Sequence, residues 1–276
     1  MRATTFALPG GTFHALALGD PAAPPLLWLH GFPDHPPTAL GFLAPFAATH
    51  RVIAPWLRGY APSPIGGPYD VDTLARDVGA LIDELGGRVD LVGHDWGAVI
   101  TYAVCAQTPH RVRRAVTLAV PHPATFVRSL VTSSQLVRSW YMAAFQLPIE
   151  RVVGARGLAA LVDRLWRSWS PHLVVDAEAR AELHACLAAS LPAPLGYYRA
   201  NRRLYRARWL REPITTALYQ LHGAEDGCVL PPRSDGAGDR RRFTAEYACE
   251  VVPELGHFLH LEEPALIAAR IARWLA

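Results

Sequence analysis

A chain of 276 residues, 51% of them apolar, can bury a sizeable core as one large domain or two small ones. All 27 basic residues are arginine against 24 acidic residues, a net charge of +3, and they are spread along the chain apart from "RRR" at 240–242 and "YYRANRRLYRARWLR"; no recognised basic motif accompanies these runs, so no nucleic-acid partner is expected. Apolar stretches such as "AVTLAV" fall far short of the roughly 20 residues that cross a bilayer, "MRATTFALPGG" has no signal-peptide core, and four scattered cysteines show no CxxC pair, so the expectation is a cytoplasmic protein with no membrane partner.

In chain order, "TFHALAL" reads as a strand and "PLLWLH" as a short buried one ended by Gly31. A helix-like stretch near Thr38–Ala47 precedes a third strand, "RVIAPW". "VDTLARDVGALIDELGG" spaces its apolar residues three and four apart; Asp72 is the expected N-cap and two glycines end the helix. Strand "VDLVG", a helix from Trp96 to about Thr108, and strand "RVRRAVTLAV" follow. Strands alternating with helices predict an α/β fold with a mostly parallel, doubly wound sheet.

The rhythm then changes. Residues 121–212 show helical patterns separated by prolines and no strand pattern. Within them Arg199, Arg202, Arg203 and Arg206 recur at helical spacing beside Tyr198, Tyr205 and Trp209, which reads as a solvated arginine face opposite a buried aromatic one. "ITTALYQLHGAED" and "AEYACEVVPELGH" resume as strands, separated by the polar loop "PPRSDGAGDRRR", and "EPALIAARIARWLA" closes as an amphipathic helix. The expected organisation is an α/β core over 1–120 and 213–276, with a helical lid, or cap, inserted over 121–212.

"LVGHDWGAVITYAV" places strand, Gly-x-Asp-x-Gly and helix in succession, a nucleophile-elbow pattern with aspartate at the apex. The turn is so sharp that side chains two residues either side of Asp95 would meet backbone. The apex residue must take a strained conformation, and the helix N-terminus favours its negative charge. An aspartate before a helix is also an ordinary N-cap, so the pattern needs company. Three segments supply it. In "HGFPD" the N–H of Phe32 points at the elbow, and with that of Trp96 makes the expected oxyanion hole; His30 reads as a structural hydrogen-bonding residue. "LHGAEDGCV" puts Asp226 at the sheet's C-terminal edge as the triad acid, with Glu225 as rival and Asp235 as a distant one. "ELGHFLHLEEP" puts His257 between the last strand and last helix, completing the chain order nucleophile, acid, histidine.

With "HGFPD", "PWLRGYAPS", "GHDWG", "GAED" and "GHF" in order over nearly its full length, the chain resembles the α/β-hydrolase superfamily, and within it the epoxide hydrolases. Ala61 and Pro62 depart mildly from that pattern. The resemblance implies two lid tyrosines that activate the epoxide oxygen. Tyr141 in "WYMAAFQLP" and Tyr198 in "LGYYRANRR" take those places, with Tyr197 and Tyr102 as fallbacks and "LPIE" departing from the usual continuation. It also implies a two-step hydrolysis. Asp95 attacks a ring carbon to form an alkyl-enzyme ester, and His257, oriented by Asp226, activates the water that cleaves the ester to a vicinal diol. No metal or organic cofactor is expected, and the His and Asp residues of "HGFPDHPP" lack ligand spacing. Phe32, Trp96, Trp140 and Phe145 imply an apolar pocket for a small hydrophobic epoxide, in a monomer or homodimer.

Haloalkane dehalogenases share the aspartate and the following tryptophan but need further N–H donors for a halide, and Phe32 offers no side-chain donor. Haloacid dehalogenases use arginines just after the nucleophile, where this chain has Trp96 and Val99. A serine-type esterase would need serine at the apex. A catalytically silent ligand-binding protein on this fold would have no need for all three of Asp95, Asp226 and His257.

Overall fold

The computed structural model describes residues 1–131, 133–232 and 236–276. Among these, eight strands form one sheet: β1 (Arg2–Leu8), β2 (Gly11–Leu18), β3 (Pro25–Leu29), β4 (Arg51–Pro55), β5 (Val89–His94), β6 (Val112–Leu118), β7 (Ala217–Gly223) and β8 (Tyr247–Val252). The order across the sheet is β1-β2-β4-β3-β5-β6-β7-β8. β1 and β2 pair antiparallel, as do β2 and β4; β4 and β3, and every pair from β3 to β8, are parallel. Parallel strands covered on both faces read as continuous apolar runs. Alternation still sorts them: Leu27 and Leu29 join one core and Leu26 and Trp28 the other.

β1 was not expected from the sequence. Only Phe6 and Leu8 of its seven residues are buried, too few for an apolar pattern, and its place comes from pairing with β2 across the two-residue turn between Leu8 and Gly11. Helix α1 (Val71–Glu84) is capped by Asp70, not by the expected Asp72: Asp70 Oδ1 accepts the Thr73 N–H at 2.9 Å. Val71 already belongs to the buried face, so the extended cap residue must precede it, and Asp72 instead accepts from Gln107. Helix α2 (Trp96–Gln107) is buried almost all round, between α1 and the sheet. On the opposite face the short helical turns of 36–48 and the closing helix, Pro264–Leu275, cover the second core.

Between β6 and β7 the described residues hold α3 (Pro123–Ser129), α4 (Ser133–Arg138), α5 (Trp140–Ala144), α6 (Ile149–Trp169), α7 (Ala177–Ser190) and α8 (Ala193–Ala200), and no strand. This insertion follows the C-terminal end of β6, on the same edge as the elbow. Its arginine-rich stretch is not the single helical face expected. Asn201 ends α8 by giving both its N–H and its side-chain amide to Tyr197 O, and the chain continues in turns. Arg199 turns inward to Glu150 at 2.7 Å, and Tyr205 is half exposed, whereas Tyr198 and Trp209 are buried.

Candidate active site

β5 ends at His94 and α2 begins at Trp96, leaving Asp95 alone to turn the chain at φ 50° and ψ −117°. A side chain held there costs on the order of 1–3 kcal/mol and persists only where the surroundings enforce it. Here they do. A Cβ on Gly97 would lie 2.0 Å from Leu29 O, and one on Gly93 2.3 Å from Gly97 O, so helix and strand meet backbone to backbone around the apex. The Phe32 N–H donates to Asp95 Oδ1 at 2.8 Å.

His257 lies in the loop after β8, fully buried. Its Nδ1–H donates to Asp226 Oδ2 at 2.8 Å, which directs Nε2 to Asp95 Oδ2, 3.6 Å away. Asp226 is itself held: Oδ1 accepts the Cys228 and Val229 N–H groups at 2.7 and 2.8 Å, and His222 lies 3.2 Å from Oδ2. Burial alone would lower the His257 pKa, but the charges of Asp226 and Asp95 more than offset it and raise it to about 10. Burial likewise disfavours the Asp226 carboxylate, yet His257 and His222 keep its pKa well below the usual range. Glu225 points outward to His172, 2.9 Å away, and Asp235 lies outside the described residues. His30 is neutral by burial, with Nδ1 3.0 Å from Gly31 O and Nε2 accepting the Leu57 N–H; it braces the loop that presents Phe32.

A cavity of about 150 Å³ opens above Asp95. Trp96, Tyr141 and Tyr198 line it, with Val99, Val120 and Phe126 among its apolar walls. The two tyrosine rings meet edge to face, 5.8 Å apart. Burial pushes both phenols well above their ordinary pKa, so they stay protonated. Tyr141 OH lies 3.2 Å from Cys228 Sγ, and Tyr198 OH has no hydrogen-bond partner among the described residues. The fallback tyrosines are engaged elsewhere: Tyr197 donates to Arg58 O, and Tyr102 bonds Thr117 and Gln220.

Three expected pocket residues need correction. Trp140 is 48% exposed and does not line the cavity, because it opens α5 one residue before Tyr141, and a 100° step round the helix turns it outward. Phe32 and Phe145 stand one layer behind, packed edge to face with each other and on the Tyr198 ring, rather than at the surface of the cavity. Trp169, not anticipated from the sequence, ends α6 with its carbonyl accepting from both Gly227 (3.1 Å) and His257 (2.9 Å), while its ring packs on His257 and Tyr141. Nothing in a Trp at the end of an amphipathic helix signals that role.

Among the described residues, two buried sets could offer ligands to a cation: Asp34, His94 and His260, and Asp226, Cys228 and His257, the ligand atoms of each lying within 4.8 Å of one another. In the second, Asp226 and His257 already satisfy each other. In the first, brought together only by folding, His94 Nε2 is committed to His257 O at 3.0 Å.

The alpha/beta hydrolase fold family model matches residues 24–264. Epoxide hydrolase 3 of Xenopus tropicalis is 29% identical over 273 residues, covering 92% of this chain and 72% of that protein. The AB hydrolase superfamily protein YfhM of Bacillus subtilis (strain 168) is 28% identical over 277 residues, covering 96% and 95%. Epoxide hydrolase 4 of Homo sapiens is 35% identical over 144 residues, half of this chain, and the match spans 40% of that relative's length. Among solved structures, one described as a novel epoxide hydrolase of the alpha/beta hydrolases superfamily, from metagenomes of hot environments, superposes with a TM-score of 0.85 at 28% identity, covering 100% of this chain and 99% of that one. The chain belongs to the α/β-hydrolase fold family.

Proposed function

We propose that the protein is an epoxide hydrolase that converts a small hydrophobic epoxide and water to a vicinal diol through an ester on Asp95. The observation that carries the reading is the meeting, in one apolar cavity, of the Asp95 carboxylate and the two protonated phenols of Tyr141 and Tyr198. The relatives named as epoxide hydrolases support it. In this reading residues 121–212 are a cap that brings the phenols to a core formed by 1–120 and 213–276.

An epoxide carbon is a weak electrophile with a poor leaving oxygen. Asp95 attacks that carbon while a phenol gives its proton to the ring oxygen, so the C–O bond breaks without a free alkoxide. Esterification removes the Asp95 charge. One of the two carboxylates that raise the His257 pKa is then gone, so His257 can release its proton to solvent while the phenolate takes one back, leaving a neutral imidazole to act as base and a restored phenol. Neutral His257 takes a proton from water, whose oxygen attacks the ester carbonyl. The N–H groups of Phe32 and Trp96 receive the resulting oxyanion, each donor worth roughly 3–4 kcal/mol in comparable sites. Collapse expels the diol and restores the carboxylate.

Styrene oxide and a bromoalkane, offered to wild type and Asp95→Ala, separate the readings. Diol from styrene oxide, lost in the variant, is expected; halide release without diol would point to a dehalogenase, and no reaction with either to a binder. In heavy-oxygen water under single turnover, the label is expected in the Asp95 carboxylate.

A further inference from the structure

Cys228 lies two residues after Asp226, in the loop leaving β7, and is fully buried. Its N–H donates to Asp226 Oδ1, and its Sγ meets the Tyr141 hydroxyl. One residue therefore touches both the acid behind His257 and a phenol above Asp95. The same loop is tied to the insertion at further points. The Gln135 amide donates to Cys228 O at 3.0 Å and accepts the Leu230 N–H at 2.7 Å, and Arg138 donates to Asp226 O. Gln135, Arg138 and Tyr141 stand three residues apart along α4 and α5, so one line of the insertion grips one loop of the core.

A phenol oxygen has a single proton to give and lone pairs that accept. On the reading above, Tyr141 must send that proton forward to the substrate, and only a donor can then stand behind its oxygen. We propose that Cys228 is a positioning residue for Tyr141: its S–H donates to the phenol oxygen, turns the phenol proton toward the cavity, and stabilises the charge gathering on that oxygen as the ring opens. Successive hydrogen bonds of this kind polarise one another. The thiol does not compete with Asp95 as a nucleophile, because burial and the nearby carboxylates keep it protonated.

Cys228→Ala and Cys228→Val remove the donor, and Cys228→Ser keeps one. Ester formation from styrene oxide in single turnover, followed by rapid-quench mass spectrometry, is expected to slow about tenfold in both apolar variants, equivalent to about 1.4 kcal/mol. The serine variant is expected to stay within about twofold of wild type, and ester hydrolysis to be unchanged in all three, since the backbone bond to Asp226 survives. In a Tyr141→Phe background, Cys228→Ala is expected to add nothing. Wild-type alkylation in either apolar variant, a serine variant as slow as alanine, or a full further loss in the Tyr141→Phe background overturns the proposal. The two apolar variants differ in volume, so if one fails to fold the other decides. Diol formation that survives Asp95→Ala defeats the underlying reading; diol lost there, with unaltered Cys228 variants, defeats the thiol's role alone.

Discussion

The sheet and the insertion position their side chains by different means. Around Asp95 the constraints are supplied by backbone: parallel registers, close approach at two glycines, and an N–H from a neighbouring strand's loop to the Asp95 carboxylate. Around Tyr141 and Tyr198 they are supplied by side chains: ring edges, a thiol, and the buried Gln135 amide on the Cys228 carbonyl. Backbone constraints hold whatever the neighbouring side chains are; side-chain constraints can be rebuilt one substitution at a time. On the proposed reading, changes in the sheet edge should abolish the chemistry, and changes in the insertion should grade it.

The largest effect tests the first half of that contrast. Asp95→Asn is expected to lower diol formation by at least about 10⁴-fold with an unaltered circular dichroism spectrum; measurable wild-type turnover would break the comparison outright. His257→Gln is expected to cost about 10³-fold in steady state while the ester accumulates, visible as a mass adduct on the intact protein. From the insertion, Tyr141→Phe and Tyr198→Phe together should slow alkylation by about 10²-fold, with each single change costing less because the other phenol remains. A pair of losses as deep as that of Asp95→Asn would erase the distinction.

What the sequence reveals follows the same division. Asp95, Asp226 and His257 stand where strands end, and strand ends are marked by apolar runs and glycines, so their convergence could be anticipated. The insertion depends on helical phase. A single step along the helix separates exposed Trp140 from buried Tyr141, and a run of alternating arginines and aromatics gave no sign that Asn201 would break it. Cys228 and Trp169 act through a thiol and a carbonyl, groups that leave no pattern along the chain. β1 was missed because an edge strand with two buried residues needs its partner to exist.

Stability should divide along the same line. Leu91→Ala, at a fully buried position of β5, is expected to cost about 2–5 kcal/mol in urea unfolding, whereas Val131→Ala, at a position 88% exposed in the insertion, should stay within about 0.5 kcal/mol. A pH-dependent effect lies at the joint. His122 caps α3, its Nδ1 accepting the Ala124 N–H, and burial lowers its pKa to about 3. The folded chain therefore keeps it neutral while the unfolded chain protonates it below about pH 6.5, so stability is lost as pH falls. Between pH 6.5 and 5, His122→Asn, which retains a capping side chain, should lose about 1.5 kcal/mol less than wild type. An identical loss in the two proteins would show that this imidazole does not govern the joint.

The Trp169 carbonyl accepts at once from the residue after the acid and from the histidine itself. On the proposed reading, a swing of the insertion about the end of α6 would drag on both, so a wide opening for product exit and an aligned acid–base pair exclude each other. On that reading the insertion is an interlock: the site can be entered or armed, but not both together.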